Sequence, residues 1–240
     1  MKGHISDLMK RTILRLIFNK INKKNIKAIV LFGSRARGDY NKKSDYDINV
    51  FTSRIYKRLA SGLSDYSKGI FVNIVCPKEL KEKLDKGHSF AYCTFRDGIP
   101  LYQKKSWFNK TKPEILKLKP SKEIISLYLE SSLSKLISSR KHKVSAYFEY
   151  EDNKVAVNQL GFAILMAEGS YPKSPHTITR ELKETNEKYK ELARAIEYIQ
   201  NTYYLSKIPR RKKYFNNIYF LVNFAKRYVK QKFPEVLERV

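Results

Sequence analysis

Two aspartates two residues apart, Asp45 and Asp47, sit at the start of the apolar run 46–51. On a strand, side chains at i and i+2 leave the same face, so the two carboxylates converge. Hard oxygen donors of this kind suit Mg²⁺ or Mn²⁺, and a bound cation relieves the repulsion between them. Ahead of them, Gly33 and Ser34 end a second apolar run, 26–32. A glycine at that point lets backbone come close to a phosphate. Ser34 offers a hydroxyl, the following turn can present N–H groups, and Arg35 and Arg37 can pair with phosphate oxygens. Gly33, Ser34, Arg35 and Arg37 are therefore the candidate phosphate-binding set. Asp45 and Asp47 are the candidate metal ligands and catalytic carboxylates. Together they suit one task, holding a nucleoside triphosphate with its metal while a hydroxyl attacks the α-phosphorus.

The surrounding pattern supplies elements to carry these groups. Apolar residues at helical spacing over 5–22 predict an amphipathic helix. The run 26–32 is apolar on both faces apart from Lys27, which fits a central buried strand. Residues 35–44 are polar, with Gly38, Asp39 and Asn41 as turn residues. Further strands are expected over 46–51, 70–75 and 99–102, with helices over 53–64, 78–86 and around 90–95. The stretch 109–120 is polar and contains two prolines, and it is read as a linker. Beyond it the pattern is wholly helical. Four helices are expected, one from Ile124, one over 155–168, a long one over 174–204 and one over 218–233. The expected organisation is thus an α/β domain with a mixed sheet over 1–108, the linker 109–120, and an all-α up-down bundle over 121–240.

Composition narrows the partners. With 240 residues, 42% apolar and 13% aromatic, the chain can bury a sizeable core. No apolar run approaches the roughly 20 residues of a membrane span. The N-terminus carries charges at helical spacing and lacks the pattern of a signal peptide, which is the expectation for a cytoplasmic protein. Cys76 and Cys93 form no CxxC and are read as two free thiols. The net charge of +26 attracts polyanions, whether nucleotides, RNA, DNA or acidic proteins, and repels a cationic acceptor such as an aminoglycoside. Lysines are spread widely, so a solvated basic surface explains the charge equally well. The densest cluster, 207–213, is expected to be a loop between helices. No heptad seam is long enough to argue self-pairing, so the choice between monomer and homodimer stays open.

Gly33-Ser34-Arg35-Ala36-Arg37-Gly38, a short polar turn, then Ser44-Asp45-Tyr46-Asp47 and an apolar strand resembles the DNA polymerase beta-like nucleotidyltransferases, in particular their minimal branch. The resemblance spans roughly residues 8–105, and Asp97-Gly98-Ile99-Pro100-Leu101-Tyr102 looks like the end of such a domain. It implies transfer of a nucleoside monophosphate from an NTP–Mg²⁺ complex. One position departs from the pattern. The family places a third carboxylate on the next strand, and here that position is Asn73. An amide keeps the shape but cannot act as a base at neutral pH. Asp39 and Asp65 are the alternative acids. Two functions therefore compete, a specialised transferase working with two acids, and a regulatory or antitoxin-like module that binds nucleotide or nucleic acid without turnover.

In the helical half, residues 158–169 followed by Tyr171-Pro172-Lys173-Ser174-Pro175-His176 resemble the HEPN family of bundles. Many HEPN proteins are ribonucleases that use an Arg followed four to six residues later by His. No arginine here has that spacing, since Arg140 and His142 are too close and His176 precedes Arg180. His176 either opens the following helix or faces the nucleotide. His4 and His88 are expected at the surface. The 17 tyrosines are ordinary amphipathic packing, with base stacking by one or two as the alternative.

Overall fold

The computed structural model describes residues 5–42, 44–56, 63–141, 146–204 and 211–240. The chain divides into two compact units, Met1–Leu118 and Lys119–Val240. The expected helix over 53–64 falls largely outside the described residues, as do His4, His142 and most of the basic cluster 207–213.

The first unit is built on a four-stranded mixed sheet. Its strands are β1 (Ile26–Phe32), β2 (Tyr46–Thr52), β3 (Ile70–Val75) and β4 (Ile99–Gln103), in the order β3-β2-β1-β4. β1 runs antiparallel to β2 and β4, and β2 runs parallel to β3. Each face buries a separate core. Ile29 and Leu31 of β1, Ile48 and Val50 of β2, and Ile70, Val72 and Ile74 of β3 pack with Ile13 and Ile17 of α1 (Asp7–Phe18). Ala28, Val30, Phe51 and Val75 pack on the other face with Phe95 and Phe108. A register irregularity between Ile26 and Ala28 turns Ile26 onto the α1 side, out of step with the alternation. The polar residue in β1, Lys27, keeps its ammonium over the Trp107 ring, 5.5 Å from its centre.

Among the described residues, four further α-helices belong to this unit. After β1 comes α2 (Gly33–Arg37), after β3 come α3 (Pro77–Asp85) and α4 (Ser89–Asp97), and after β4 comes α5 (Trp107–Ile115). Two of these depart from the sequence expectation. Residues 35–37, read as part of a polar turn, are helical, and Gly38 in the left-handed region ends that helix. The stretch read as linker begins as α5, because Phe108 and Ile115 are seven apart and bury into the α4-side core. Pro113 inside α5 did not prevent the helix.

The second unit is helical: α6 (Lys122–Lys141), α7 (Ala146–Ala167), α8 (Ile178–Thr185), α9 (Lys190–Tyr204) and α10 (Arg211–Lys232). α6, α7, α9 and α10 each pack against the next and close into a four-helix ring, with α8 lying on α7 and α9. The single long helix expected over 174–204 is thus two. The break is at Asn186, whose backbone is extended and whose side chain accepts from the Lys188 N–H to start a new turn. The turn before α8 is held by Ser174, Thr177 and Glu181, whose carboxylate accepts from the Lys173 N–H. Among the described residues, no helix is long and apolar enough to cross a membrane.

Gly161 of α7 lets the start of α8 lie flat on it, because a Cβ there would run into the Ile178 side chain. Gly161→Ala is therefore expected to destabilise the protein by about 1–3 kcal/mol through overpacking, despite alanine's better helix propensity. Urea unfolding monitored by circular dichroism checks this.

Candidate functional site

One face of β2 serves two purposes along its length. Phe51 and Asn49 lie under α4, where Phe51 meets the Phe95 ring and Asn49 is fully buried. Asp47, two residues before Asn49, leaves β2 by the same face, and Asp45 immediately precedes the strand. Asp47 is half-buried and Asp45 exposed. In the β1–β2 register, Asp47 lies opposite Phe32, the last residue of β1. The next residue is Gly33.

Gly33 has φ of +72°, and a Cβ built there would collide with the Asp47 carboxylate. Only glycine suits both conditions. α2 then begins directly, with no side chain capping its first turn. The N–H groups of that turn have no intrahelical acceptor and lie beside the two carboxylates' strand. The Ser34 carbonyl receives the N–H groups of Gly38 and Asp39, which bends the chain back toward β2. On the other side, a Cβ on Gly69 would come within 3.1 Å of Asp45 Oδ1, so the turn leading into β3 also closes on the site.

The two arginines are placed differently. The Arg35 guanidinium lies 3.9 Å from the Tyr46 ring centre and 4.9 Å from that of Tyr40, and its Nε donates to the Ser44 carbonyl at 2.8 Å. It thereby ties α2 to the 40–46 loop that delivers Asp45. Arg37 donates from Nε to Asp39 Oδ2 at 3.2 Å and also lowers the cost of ionising Asp47. Tyr40 and Tyr46 were missed as site residues; only their placement around Arg35 reveals them.

Asp47 is held above the usual carboxylate range, first by burial and then by the charge of Asp45, with Arg37 opposing. Two carboxylates that repel each other in a half-buried corner fit a divalent cation, which reverses that penalty. Two protein ligands leave the remaining positions for phosphate oxygens and water, as Mg²⁺ prefers. Among the described residues, no group of three His, Cys, Asp or Glu side chains could hold a metal.

Asn73 lies beside Asn49 on the same face, in register on β3. Its Nδ2 donates to Asn49 Oδ1 at 3.2 Å, and Asn49 Nδ2 donates to Thr94 Oγ1 at 3.0 Å. Thr94 in turn donates to the Phe90 carbonyl. Asn73 is thus the outer end of a neutral hydrogen-bonded chain running under α4. Asn49, a polar residue between the apolar Ile48 and Val50, was the visible but unused signal of that chain. The two alternative acids each have a partner of their own. Asp39 pairs with Arg37. Asp65 accepts from Ser67 at 2.6 Å and Lys68 at 2.9 Å, which holds its pKa low.

The histidines separate as well. His88, expected at the surface, is half-buried. Its Nδ1 accepts from the Phe90 N–H and caps α4, and burial followed by the charge of Lys83 keeps its pKa low. His176 is exposed in the turn before α8, where its N–H donates to Ser174 Oγ. Cys76 and Cys93 are not joined in a disulfide.

Residues 16–106 match the family model described as Polymerase beta, Nucleotidyltransferase. The matched residues lie within the first unit, Met1–Leu118. Among solved structures, a spectinomycin adenyltransferase from Enterococcus faecialis is similar at 16% identity and a TM-score of 0.56, over 92% of this chain and all (100%) of that one. A nucleotidyltransferase-like protein from Exiguobacterium sibiricum matches at 12% identity and a TM-score of 0.48, over 95% of this chain and 78% of that one. No curated protein matches the sequence significantly. The adenyltransferase supports the fold, an α/β unit followed by a helical one.

The charge conflict at Asp47 has a measurable sign. Its folded pKa is raised, so ionisation costs stability above that pKa, and the cost vanishes below the unfolded value of 3.8. In metal-free buffer, Asp47→Asn is expected to raise the thermal midpoint at neutral pH, with the gain shrinking as pH falls toward that value. Scanning calorimetry across pH checks it. Added Mg²⁺ or Mn²⁺ should stabilise the wild type and leave the variant unchanged.

Proposed function

We propose that the protein transfers a nucleoside monophosphate from an NTP–metal complex to a hydroxyl acceptor. The observation that carries this is the Gly33–Asp47 contact. A backbone cradle lies against a pair of carboxylates, on a strand whose register forces them together. Gly33, Ser34 and the open first turn of α2 bind the triphosphate, and Arg37 adds charge beside it. Arg35 positions the loop that carries Asp45. Asp45 and Asp47 hold Mg²⁺ or Mn²⁺, which when bound neutralises the phosphates and lowers the pKa of a coordinated hydroxyl. The helical unit is a HEPN-like bundle that helps select the acceptor. Its support is the motif of residues 158–169 on α7, followed by the Pro-rich turn and α8. The net charge of +26 favours an anionic acceptor, an RNA end or an acidic protein, over a cationic one.

A second reading rests on Asn73. With an amide at the third-acid position and its Nδ2 committed to Asn49, no side chain there takes the hydroxyl proton. On this reading the site binds NTP–Mg²⁺ and regulates without turnover.

Incubation with labelled ATP, CTP, GTP and UTP and either metal separates the two. Pyrophosphate release above the level of an Asp45→Ala/Asp47→Ala double variant is the transferase result. Release no greater than that variant's, with NTP–Mg²⁺ binding that the same substitutions weaken in calorimetry, is the binding-module result. Asn73→Asp is expected to raise the transfer rate by about tenfold or more by restoring a proton acceptor. An unchanged rate means that the amide chain, not the missing charge, belongs to the mechanism.

A further inference from the structure

The helical unit contains a cavity of about 370 Å³ between α10 and the segment that joins α8 to α9. This volume is in the range of small-molecule sites. Its lining is of two kinds. Phe220, Phe224 and Tyr228 recur every four residues along one face of α10 and form an aromatic floor. The rings of Phe224 and Tyr228 lie nearly parallel, 13° apart in tilt. Around the floor stand Lys188, Arg227 and Lys232. Among the described residues, Arg227 and Lys232 have no acidic partner, whereas Lys188 reaches Glu168 at 3.7 Å.

At the back, the Tyr189 hydroxyl donates to Glu168 Oε1 at 2.5 Å, and the Tyr228 hydroxyl is in hydrogen-bonding contact with that of Tyr189. Burial, followed by the Glu168 charge, pushes Tyr228 up to about 12, and Tyr189 is raised as well. Both phenols therefore stay neutral, and the Glu168 carboxylate behind them faces Lys188. Glu191 is the acid among the lining residues, and it offers an acceptor to a sugar hydroxyl or an amino group.

A flat aromatic floor beside unpaired cations selects a ligand that is planar at one end and anionic at the other. A purely apolar ligand would bury Arg227 and Lys232 unpaired, and a bare anion would leave the floor exposed to water. We propose that this cavity is a second, metal-independent nucleotide site. It would bind a nucleoside monophosphate, with the base against Phe224 and Tyr228 and the phosphate on Arg227 and Lys232. The site lies wholly within the helical unit and does not depend on the chemistry assigned to Asp45 and Asp47.

Calorimetric titration of AMP, GMP, CMP and UMP into the full chain in EDTA tests it, since chelation withholds metal from the first unit. At least one monophosphate is expected to bind at one per chain, and Asp45→Ala should not change the affinity. The exposed pair Arg227→Ala/Lys232→Ala should weaken it about tenfold with the thermal midpoint unchanged, and the smaller apolar Phe224→Leu should weaken it about tenfold while the chain stays folded by circular dichroism. The matching nucleoside and ribose 5-phosphate should each bind at least about tenfold more weakly than the monophosphate. The absence of binding at millimolar concentration overturns the proposal, as does affinity indifferent to the α10 variants. Equal affinity for ribose 5-phosphate also overturns it, because the aromatic floor would then contribute nothing.

Discussion

Everything at the candidate site depends on one close approach, the backbone of Gly33 against the carboxylate of Asp47. It exists because β1 and β2 pair antiparallel with Phe32 opposite Asp47, so the residue that leaves β1 must pass the carboxylate. A side chain at position 33 would push the strand end and the acid apart. Glycine removes that obstacle and also takes the positive φ that turns the chain into α2. The proposed phosphate cradle and the proposed metal ligands are therefore two sides of a single contact, and neither can move without the other.

The same strand pays for this arrangement with a charge conflict. Asp45 and Asp47 share a face with Asn49 and Phe51, and the face passes from solvent to full burial within a few residues. The apolar end locks the register through Phe51 against Phe95 and Trp107. The charged end is left with repulsion that burial strengthens. Between them, the Asn73–Asn49–Thr94 chain carries the polarity inward without adding a charge. A carboxylate at position 73 would have brought a third negative charge into this corner. The amide lowers that electrostatic cost and gives up a proton acceptor. Stability and proton transfer thus pull position 73 in opposite directions.

The helical unit follows a different rule. Its four long helices close a ring, and Phe220, Phe224 and Tyr228 line up on α10 beside it. Asn186 shapes this region by breaking what the apolar period suggested was one helix. The break places Lys188 and Tyr189 against α10. A continuous helix would have left α10 with an open aromatic stripe rather than a lined cavity.

The sequence alone was enough to place the four strands, the paired acids, Gly33 and the amide at position 73. These depend on local pattern: alternation puts Asp45 and Asp47 on one face whatever the fold, and a glycine between a buried strand and a basic turn has few other uses. What pattern cannot carry is which side chains meet across elements. Arg35 and Arg37 looked equivalent, but packing gave Arg35 to Tyr40 and Tyr46 and left Arg37 facing the acids. His88 looked exposed until α4 formed over it. The α10 cavity was invisible, because Lys188 and Arg227 are far apart in the chain and adjacent only once α9 and α10 pack. Residue types and periods set what each element can offer, while long-range packing decides which offers are spent on structure and which remain for a ligand.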